Sequence, residues 1–336
     1  MELSIELETL SPQFLPQVNA FTQVYGSSPG ATRMVTAFTC KAIVRKDNPI
    51  DSSFALLLDD FSEENGWRQV VQTDLAQTKA TLQALARMHA FFWLGQRRQD
   101  KTLTEALAGS LWPIATYWDQ AKQPADQANR LSAIFSRFVS DFGDPEVSEA
   151  AGRKDYGAVL ASQVERLERE VHRGEKQTII HGDAKSANFF YKASSTEKQG
   201  LDVGVIDFQW TGSGLCATDV AYAMWACPQA EVLDQEHQLV EFYHDQLSQE
   251  LAELEPPGGA QAPPLNAFKA QYQAAFLDLC RVVLADHWST VTPTTLAARA
   301  AMPEVKRKVF NAYNKDYGVA KRLQLRMMEE LDIIGL

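Results

Sequence analysis

The sequence has few cysteines, no paired cysteine motif and no long apolar run. The sequence has four cysteines: Cys40, Cys216, Cys227 and Cys280. They form no C-x-x-C pair and have no zinc-ligand spacing with histidine, so we expect free thiols in a reducing compartment. No run approaches the ~20 apolar residues of a membrane helix. The first residues, 1–8, are acidic, unlike a signal or transit peptide. These absences predict a cytoplasmic protein that has no membrane partner.

The chain also lacks an excess of positive charge. It has 32 lysine and arginine residues against 43 acidic ones, a net charge of −11 over 336 residues. A phosphate backbone needs a basic face, so we expect no nucleic-acid partner. The basic residues near the C-terminus are interpreted as a solvated helix face: Lys306, Arg307, Lys308, Lys321, Arg322 and Arg326. Hydrophobic residues make up 45%, enough for a large core; the oligomeric state stays open.

The hydrophobic pattern divides the chain into a β-rich front and a helical body. Residues 36–45 and 53–61 are predicted to pair as antiparallel strands, and residues 70–95 as an amphipathic helix. Two helices are predicted within 103–142 and one around 160–171. Short strands follow at 177–180 and 201–208, and helices at 219–227, 231–252, 266–288 and 304–331. This order predicts an α+β fold.

Two loops carry the chemistry. The first is H-G-D-A-K-S-A-N, in which Asp183 is followed by Lys185 and Asn188; the second begins with Asp207 at the end of the next predicted strand. Phosphoryl transfer needs a carboxylate for the attacking hydroxyl, oxygen ligands for Mg²⁺ and a cation near the phosphoryl group. Each aspartate alone is more often a cap or turn residue, but the combination is specific. The spacing equals that of the kinase loop H-R-D-x-x-x-x-N, with glycine in place of arginine.

These motifs resemble the aminoglycoside phosphotransferase/choline kinase superfamily, and most of all its ecdysteroid-kinase-like (CHK-type) branch. The resemblance rests on residues 179–188 and 205–214, followed by 217–222, with two weaker matches at 54–62 and 85–93, and it covers roughly residues 35–245. It implies a two-lobed, protein-kinase-like fold, with residues 1–62 as N-lobe and hinge and 63–336 as a large helical C-lobe. It also implies ATP- and Mg²⁺-dependent phosphorylation of a hydroxyl on a small molecule.

The resemblance assigns a role to each matching residue. Asp183 would be the catalytic base and Lys185 would lie near the γ-phosphate, while Asn188 and Asp207 would bind Mg²⁺. The backbone around Asp59, Asp60 and Phe61 would hold adenine. Asp219 would be structural, tying the start of its helix to the backbone of the catalytic loop.

The front of the chain departs from the family pattern. The strand predicted around residues 4–12 carries Glu8 where the family has a phosphate-binding lysine, and the helix at 13–25 has Gln17 and Gln23 but no glutamate partner. We therefore expect a short, apparently truncated N-lobe. Two interpretations remain open: a small-molecule kinase, or a catalytically weak pseudokinase that binds a small molecule or a partner.

Several other residues have a structural and a functional interpretation. His89 lies on the apolar face of its predicted helix and is interpreted as a core histidine, and His181 as an anchor for the backbone. Four aromatic residues are interpreted as core, the alternative being a cage for a cationic substrate: Trp210, Tyr222, Trp225 and Trp288. A metal-dependent hydrolase would need a cluster of histidines or carboxylates that the sequence does not show. The identity of the acceptor is not readable from the sequence.

Overall fold

The computed structural model describes residues 38–43, 53–57, 60–93, 111–175, 177–194, 200–254 and 261–334. Strands β1 (Phe38–Ile43) and β2 (Ser53–Leu57) pair antiparallel, with Phe38 opposite Leu57 and an irregularity between Thr39 and Lys41. The predicted front hairpin is confirmed with shorter strands. The predictions for residues 4–12 and 13–25, and the position of Asp59, lie outside the described residues.

Helix α1 (Leu75–Phe91) is the amphipathic helix predicted at 70–95. It begins at Asp74, whose side chain accepts a hydrogen bond from the Gln77 N–H while the Gln77 side chain accepts one from the Asp74 N–H. This capping box satisfies two amide groups that the first turn would otherwise leave unpaired. The buried face of α1 presents Leu82 and Leu85 to the core.

Of the two helices predicted within 103–142, the structure describes one, α2 (Gln127–Phe142). Residues 103–110, where the other could lie, are outside the described residues. Between them, the only helical turn described in residues 111–126 is a short 3₁₀ turn at Gln120–Lys122. Residues 111–116 bond to the chain at 210–213, which is distant in sequence.

Two short antiparallel pairs lie inside the helical body. Strand β3 (Thr178–Ile180) pairs with β6 (Gly212–Gly214), and β4 (Phe189–Ala193) pairs with β5 (Leu201–Val205). The sequence predicted β3 and β5 and missed their partners. Strand β6 is the tripeptide Gly-Ser-Gly, which has no apolar pattern, and β4 begins directly after the H-G-D-A-K-S-A-N loop, so neither strand stood out without its pairing.

Helices pack around these pairs. The helices between α2 and β3 are α3 (Pro145–Ala151) and α4 (Tyr156–Leu167). After β6 come α5 (Cys216–Ala226), α6 (Glu236–Leu254), α7 (Leu265–Val282), α8 (Pro293–Ala300), α9 (Glu304–Arg307) and α10 (Tyr317–Ile333). Helix α1 packs on α6, α2 on α4, and α5 on α7.

The single helix predicted at 304–331 is wrong. It is two helices, α9 and α10, separated by a 3₁₀ turn at Ala312–Asn314. Helix α10 has its own start, because the Asp316 carboxylate accepts a hydrogen bond from the Gly318 N–H at 2.8 Å. The buried Lys315 ammonium donates to the carbonyl oxygens of Val71, Arg307 and Phe310, which holds this break against the body.

The described core is continuous from α1 to α10 and confirms the predicted α+β class. Cys216, Cys227 and Cys280 are buried free thiols within it. In the part of the chain that the structure describes, no helix has both the length and the apolar character required to span a membrane.

Candidate active site

The first predicted loop leaves β3 and folds back on itself. Asp183 is 1% exposed, and its Oδ2 accepts hydrogen bonds from Lys185 Nζ at 2.7 Å and Asn188 Nδ2 at 3.3 Å. The 3₁₀ turn at Ser186–Asn188 returns Asn188 to the acid, and Asn188 Nδ2 also donates to the Asp183 carbonyl oxygen at 2.8 Å. The spacing read in the sequence therefore brings all three side chains into contact.

The other carboxylate oxygen of Asp183 is free. Oδ1 is buried and has no hydrogen-bond partner among the described residues. Buried polar atoms are nearly always bonded, so an unpaired carboxylate oxygen marks a place for a ligand. An acceptor-only carboxylate with one fixed and one free oxygen is suited to receive a hydrogen bond from a hydroxyl.

Asp207 follows β5 and lies beside this loop. The Ile206 N–H donates to the Asn188 carbonyl oxygen at 3.1 Å, which joins the two loops directly. Asp207 has a left-handed backbone with φ of +66°. Asp207 is exposed as a residue, but its carboxyl group is partly buried. This burial is the larger cause of the raised pKa of Asp207, and the negative charge of Asp183 is the smaller one. The negative charge of Asp183 therefore acts on Asp207, and a cation near both carboxylates would relieve their repulsion.

The residues present fit a magnesium ion. Asn188 and Asp207 offer hard oxygen ligands, and Mg²⁺ usually takes one or two protein ligands and completes its shell with water and phosphate oxygens. No group of three His, Cys, Asp or Glu side chains in the described parts of the chain could hold a metal ion by itself.

Asp219, in the first turn of α5, anchors the catalytic loop. Its carboxylate accepts hydrogen bonds from the backbone N–H of His181 at 2.6 Å and of Gly182 at 2.9 Å, as predicted. His89 Nε2 lies 3.1 Å from the same carboxylate, and His89 Nδ1 lies 2.7 Å from the Tyr243 hydroxyl. Burial would raise the pKa of Asp219, but hydrogen bonds from His89 and the loop hold it below its ordinary value. His89 is thus a satisfied core histidine.

His181 links the two loops through its ring. Nδ1 accepts a hydrogen bond from the Asp183 N–H at 3.2 Å, so the ring proton is on Nε2, which donates to the Ile206 carbonyl oxygen at 2.9 Å. The predicted anchoring role is confirmed, since both nitrogens are used by backbone groups.

Gly182 explains why the motif has glycine where protein kinases have arginine. Its φ is +80°, and a Cβ built there would lie 2.3 Å from the Trp210 carbonyl oxygen. The chain after Asp207 therefore packs directly on the backbone before Asp183, and no side chain fits between them.

The predicted adenine-binding residues are only partly described. Asp60 is exposed, and its carboxylate accepts hydrogen bonds from Ser62 and Asn65, both at 2.9 Å. The Phe61 ring stacks on Phe190 and packs against Gly204, where a Cβ would lie 2.3 Å from the ring. The segment is therefore fixed to the β4–β5 pair.

The four aromatic residues weighed as a cage do not form one group. Tyr222, Trp225 and Trp288 are fully buried in the core, whereas Trp210 is partly exposed and stacks on Trp112. The sequence reasoning missed the segment around Trp112 altogether, because it carries no motif and falls within a range in which only helices were predicted. Its aromatic composition, W-P-I-A-T-Y-W, was the available signal.

Comparison with known proteins gives the family of this chain. A solved structure of a microcompartment-associated aminopropanol kinase is similar to this chain at 14% identity and a TM-score of 0.47, covering 96% of this chain and 86% of that one. No curated protein matches the sequence. The profile of the ecdysteroid kinase-like family matches residues 12–255, well over half of the chain. The chain therefore belongs to the ecdysteroid kinase-like family.

Proposed function

We propose that this protein transfers the γ-phosphoryl group of ATP to a hydroxyl of a small molecule, with Mg²⁺. The observation that carries the proposal is the buried Asp183 carboxylate, which has one oxygen held by Lys185 and Asn188 and one oxygen free. Membership of the ecdysteroid kinase-like family supports the same activity.

Asp183 acts on the acceptor in this proposal. Its free Oδ1 accepts the hydrogen bond of the reacting hydroxyl and takes the proton as the oxygen attacks phosphorus. The bonds to Oδ2 keep the carboxylate from rotating, and the Asp219 anchor keeps the loop backbone in place. Catalysis of phosphoryl transfer depends chiefly on such positioning and on charge stabilisation.

Asn188 and Asp207 hold the metal, which neutralises charge on the phosphates when bound. Lys185 contributes a second positive charge next to the acid. With Nζ 2.7 Å from Asp183 Oδ2 and its side chain 25% exposed, the ammonium group borders the cleft. A movement of this ammonium toward the transferred phosphoryl group stabilises charge where it develops.

The segment 59–61 is proposed to bind the adenine edge through backbone groups. Phe61 packs on Phe190 and Gly204, so Phe61 has a fixed position relative to the hairpin that leads into Asp207. A fixed distance between the base and the phosphate ends of a nucleotide is what a productive site requires.

Steady-state ADP release with Mg²⁺-ATP, using a panel of small alcohols as acceptors, tests the proposal. Asp183→Asn removes the proton acceptor with little change in size, and we expect kcat to fall by ~10²–10⁴-fold. Nucleotide affinity, measured by calorimetry, should change little because Asp183 acts on the acceptor. Asp245→Asn is the matched control, since that side chain is 80% exposed on α6.

The outcomes separate the two interpretations of the sequence. Turnover that is lost in Asp183→Asn and kept in Asp245→Asn supports the kinase. Nucleotide binding without turnover in the parent protein supports the pseudokinase. Equal turnover by the parent and Asp183→Asn would show that the base has been assigned to the wrong residue.

A further inference from the structure

A second cleft lies among the C-terminal helices and has a volume of about 500 Å³. Its lining comes from the end of α2, one face of α8, the last residue of α9, the turn before α10 and Gln72, which precedes α1. None of the four residues assigned to the catalytic and metal loops is among these lining residues. The volume is within the range of small-molecule sites. The cleft is therefore a candidate binding site that phosphoryl transfer does not use.

One part of the cleft lining is apolar. Four residues of α8 contribute to it, and their spacing of three and four positions places them on one helix face: Pro293, Leu296, Ala297 and Ala300. Phe142, at the end of α2, adds an aromatic ring that stacks on Tyr317 at a centroid distance of 4.8 Å. Ala297 and Ala300 are exposed. Their small side chains leave room for the apolar part of a ligand along α8.

The cleft also presents an unpaired guanidinium. Arg307 lines it, and Arg307 Nε is buried and has no hydrogen-bond partner among the described residues. The ion pair described within this helix joins Lys308 to Glu304 and leaves Arg307 aside. Buried donors are nearly always bonded, and a guanidinium forms two parallel hydrogen bonds with a carboxylate. The free Nε–H therefore marks a place for the oxygen of an anion.

Lys315 adds positive charge to the cleft but no free donor. An ammonium has three N–H bonds, and that of Lys315 donates to the carbonyl oxygens of Val71, Arg307 and Phe310. Burial lowers the pKa of Lys315 to about 8, with a smaller contribution in the same direction from the charge of Arg307. The ammonium is still mostly protonated at pH 7. Two positive groups that disfavour each other would both be stabilised by an anion in the cleft.

The charge of the lining selects the kind of anion. Asp316 is the acidic residue of the described lining, and both of its oxygens are used: Oδ2 accepts from Gln72 Nε2 at 3.0 Å and Oδ1 from the Gly318 N–H at 2.8 Å. With Arg307 and Lys315 as the cations, the charged side chains of the lining leave one net positive charge. A single carboxylate neutralises this charge, whereas a phosphate dianion would leave a negative charge in a partly buried place.

We propose that this cleft binds a short- or medium-chain monocarboxylate, with its carboxylate on Arg307 and its alkyl chain along the apolar face of α8. The inference goes beyond the proposed function, because this binding requires neither nucleotide nor Mg²⁺. Arg307 supplies the hydrogen bonds, Lys315 supplies charge, and α8 supplies the apolar surface.

Isothermal titration calorimetry at pH 7, without nucleotide or metal, tests the proposal with hexanoate, acetate and 1-hexanol as probes. We expect hexanoate to bind at least about tenfold more tightly than either, since acetate lacks the chain and 1-hexanol lacks the charge. Arg307→Met removes the guanidinium and should weaken hexanoate binding at least about tenfold. Lys306→Met is the matched control, because it removes the same charge from an exposed neighbour on α9 that does not line the cleft. It should leave the affinity nearly unchanged.

A second pair of variants tests the apolar face without altering Arg307. Ala297→Glu places a negative charge beside the alkyl chain and should weaken hexanoate binding at least about tenfold. Ala298→Glu alters the next residue, which is also exposed on α8 but does not line the cleft, and should keep the affinity.

Several outcomes would overturn the proposal. These are the absence of saturable hexanoate binding, equal weakening by the two members of either pair, and binding of acetate or inorganic phosphate as tight as that of hexanoate. Displacement of hexanoate by Mg²⁺-ATP would place it in the catalytic cleft and would overturn the proposal as well. Hexanoate binding that is unchanged by Mg²⁺-ATP and lost in Arg307→Met and Ala297→Glu alone would support it.

Discussion

Substitution of Gly182 by alanine tests how the catalytic loop is packed. Gly182 has φ of +80°, and an added Cβ would lie 2.3 Å from the carbonyl oxygen of Trp210. Gly143, just after α2, has φ of +58°, but its nearest atom to an added Cβ is 4.0 Å away. The two glycines share a left-handed backbone and differ in the space around them, so Gly143→Ala is the matched control.

The expected losses of unfolding free energy follow from the left-handed backbone that the two glycines share and from the space in which they differ. An L-residue in the left-handed region costs ~1–2 kcal/mol, and we expect this loss of unfolding free energy in both variants. Overpacking adds ~1–3 kcal/mol at Gly182 only, because the contacts there are backbone atoms that cannot rotate away. We therefore expect Gly182→Ala to cost ~2–5 kcal/mol, ~1–3 kcal/mol more than Gly143→Ala.

Catalysis should suffer as well, since the clash must move Gly182 and with it Asp183. A displacement of ~1 Å in a catalytic group costs about 10²-fold in rate. Urea unfolding followed by tryptophan fluorescence measures stability, and ADP release measures turnover. Equal destabilisation by the two substitutions, or an unchanged turnover in Gly182→Ala, would refute the packing described here.

Two further predictions concern charge. Burial alone would raise the pKa of Asp278, but Arg281 and His172 lower it to about 2. The ionised Asp278 therefore stabilises the folded protein above pH ~4, and this contribution is lost as the pH falls toward 2. Asp278→Asn should lower the unfolding free energy by ~3–5 kcal/mol at pH 7 and by clearly less at pH 3, measured by urea unfolding; a loss independent of pH would contradict this. Asp207→Asn should raise the Mg²⁺ concentration needed for half-maximal ATP turnover at least about tenfold. Without metal, the same substitution should not lower the unfolding free energy at pH 7, because a raised pKa means that the folded protein disfavours the charged Asp207 carboxylate. An unchanged Mg²⁺ requirement would remove Asp207 from the metal site.

The catalytic loop was predictable because its geometry is local. Asp183, Lys185 and Asn188 lie within six residues, and a single 3₁₀ turn brings them together. The spacing in the sequence therefore contains most of the information about their contacts. The same holds for α1, whose capping box and apolar periodicity are both local.

The segment 111–118 could not be predicted, because its hydrogen bonds reach residues about a hundred positions away. It lies within the range 103–142 in which two helices were predicted, and the N–H groups of Trp112 and Thr116 bond to Thr211 and Trp210. A long-range pairing of this kind leaves no periodic pattern in either partner. For the same reason β6, at Gly212–Gly214, was not recognised as a strand.

The sequence by itself determined the front hairpin, the α+β class and the loop from His181 to Asn188, since propensity, capping and short spacing act between near neighbours. Only the tertiary structure decided which Asp183 oxygen has no partner among the described residues, and why Gly182 has no room for a side chain. Those features depend on contacts between segments far apart in the chain, and such contacts exist only once the core has formed.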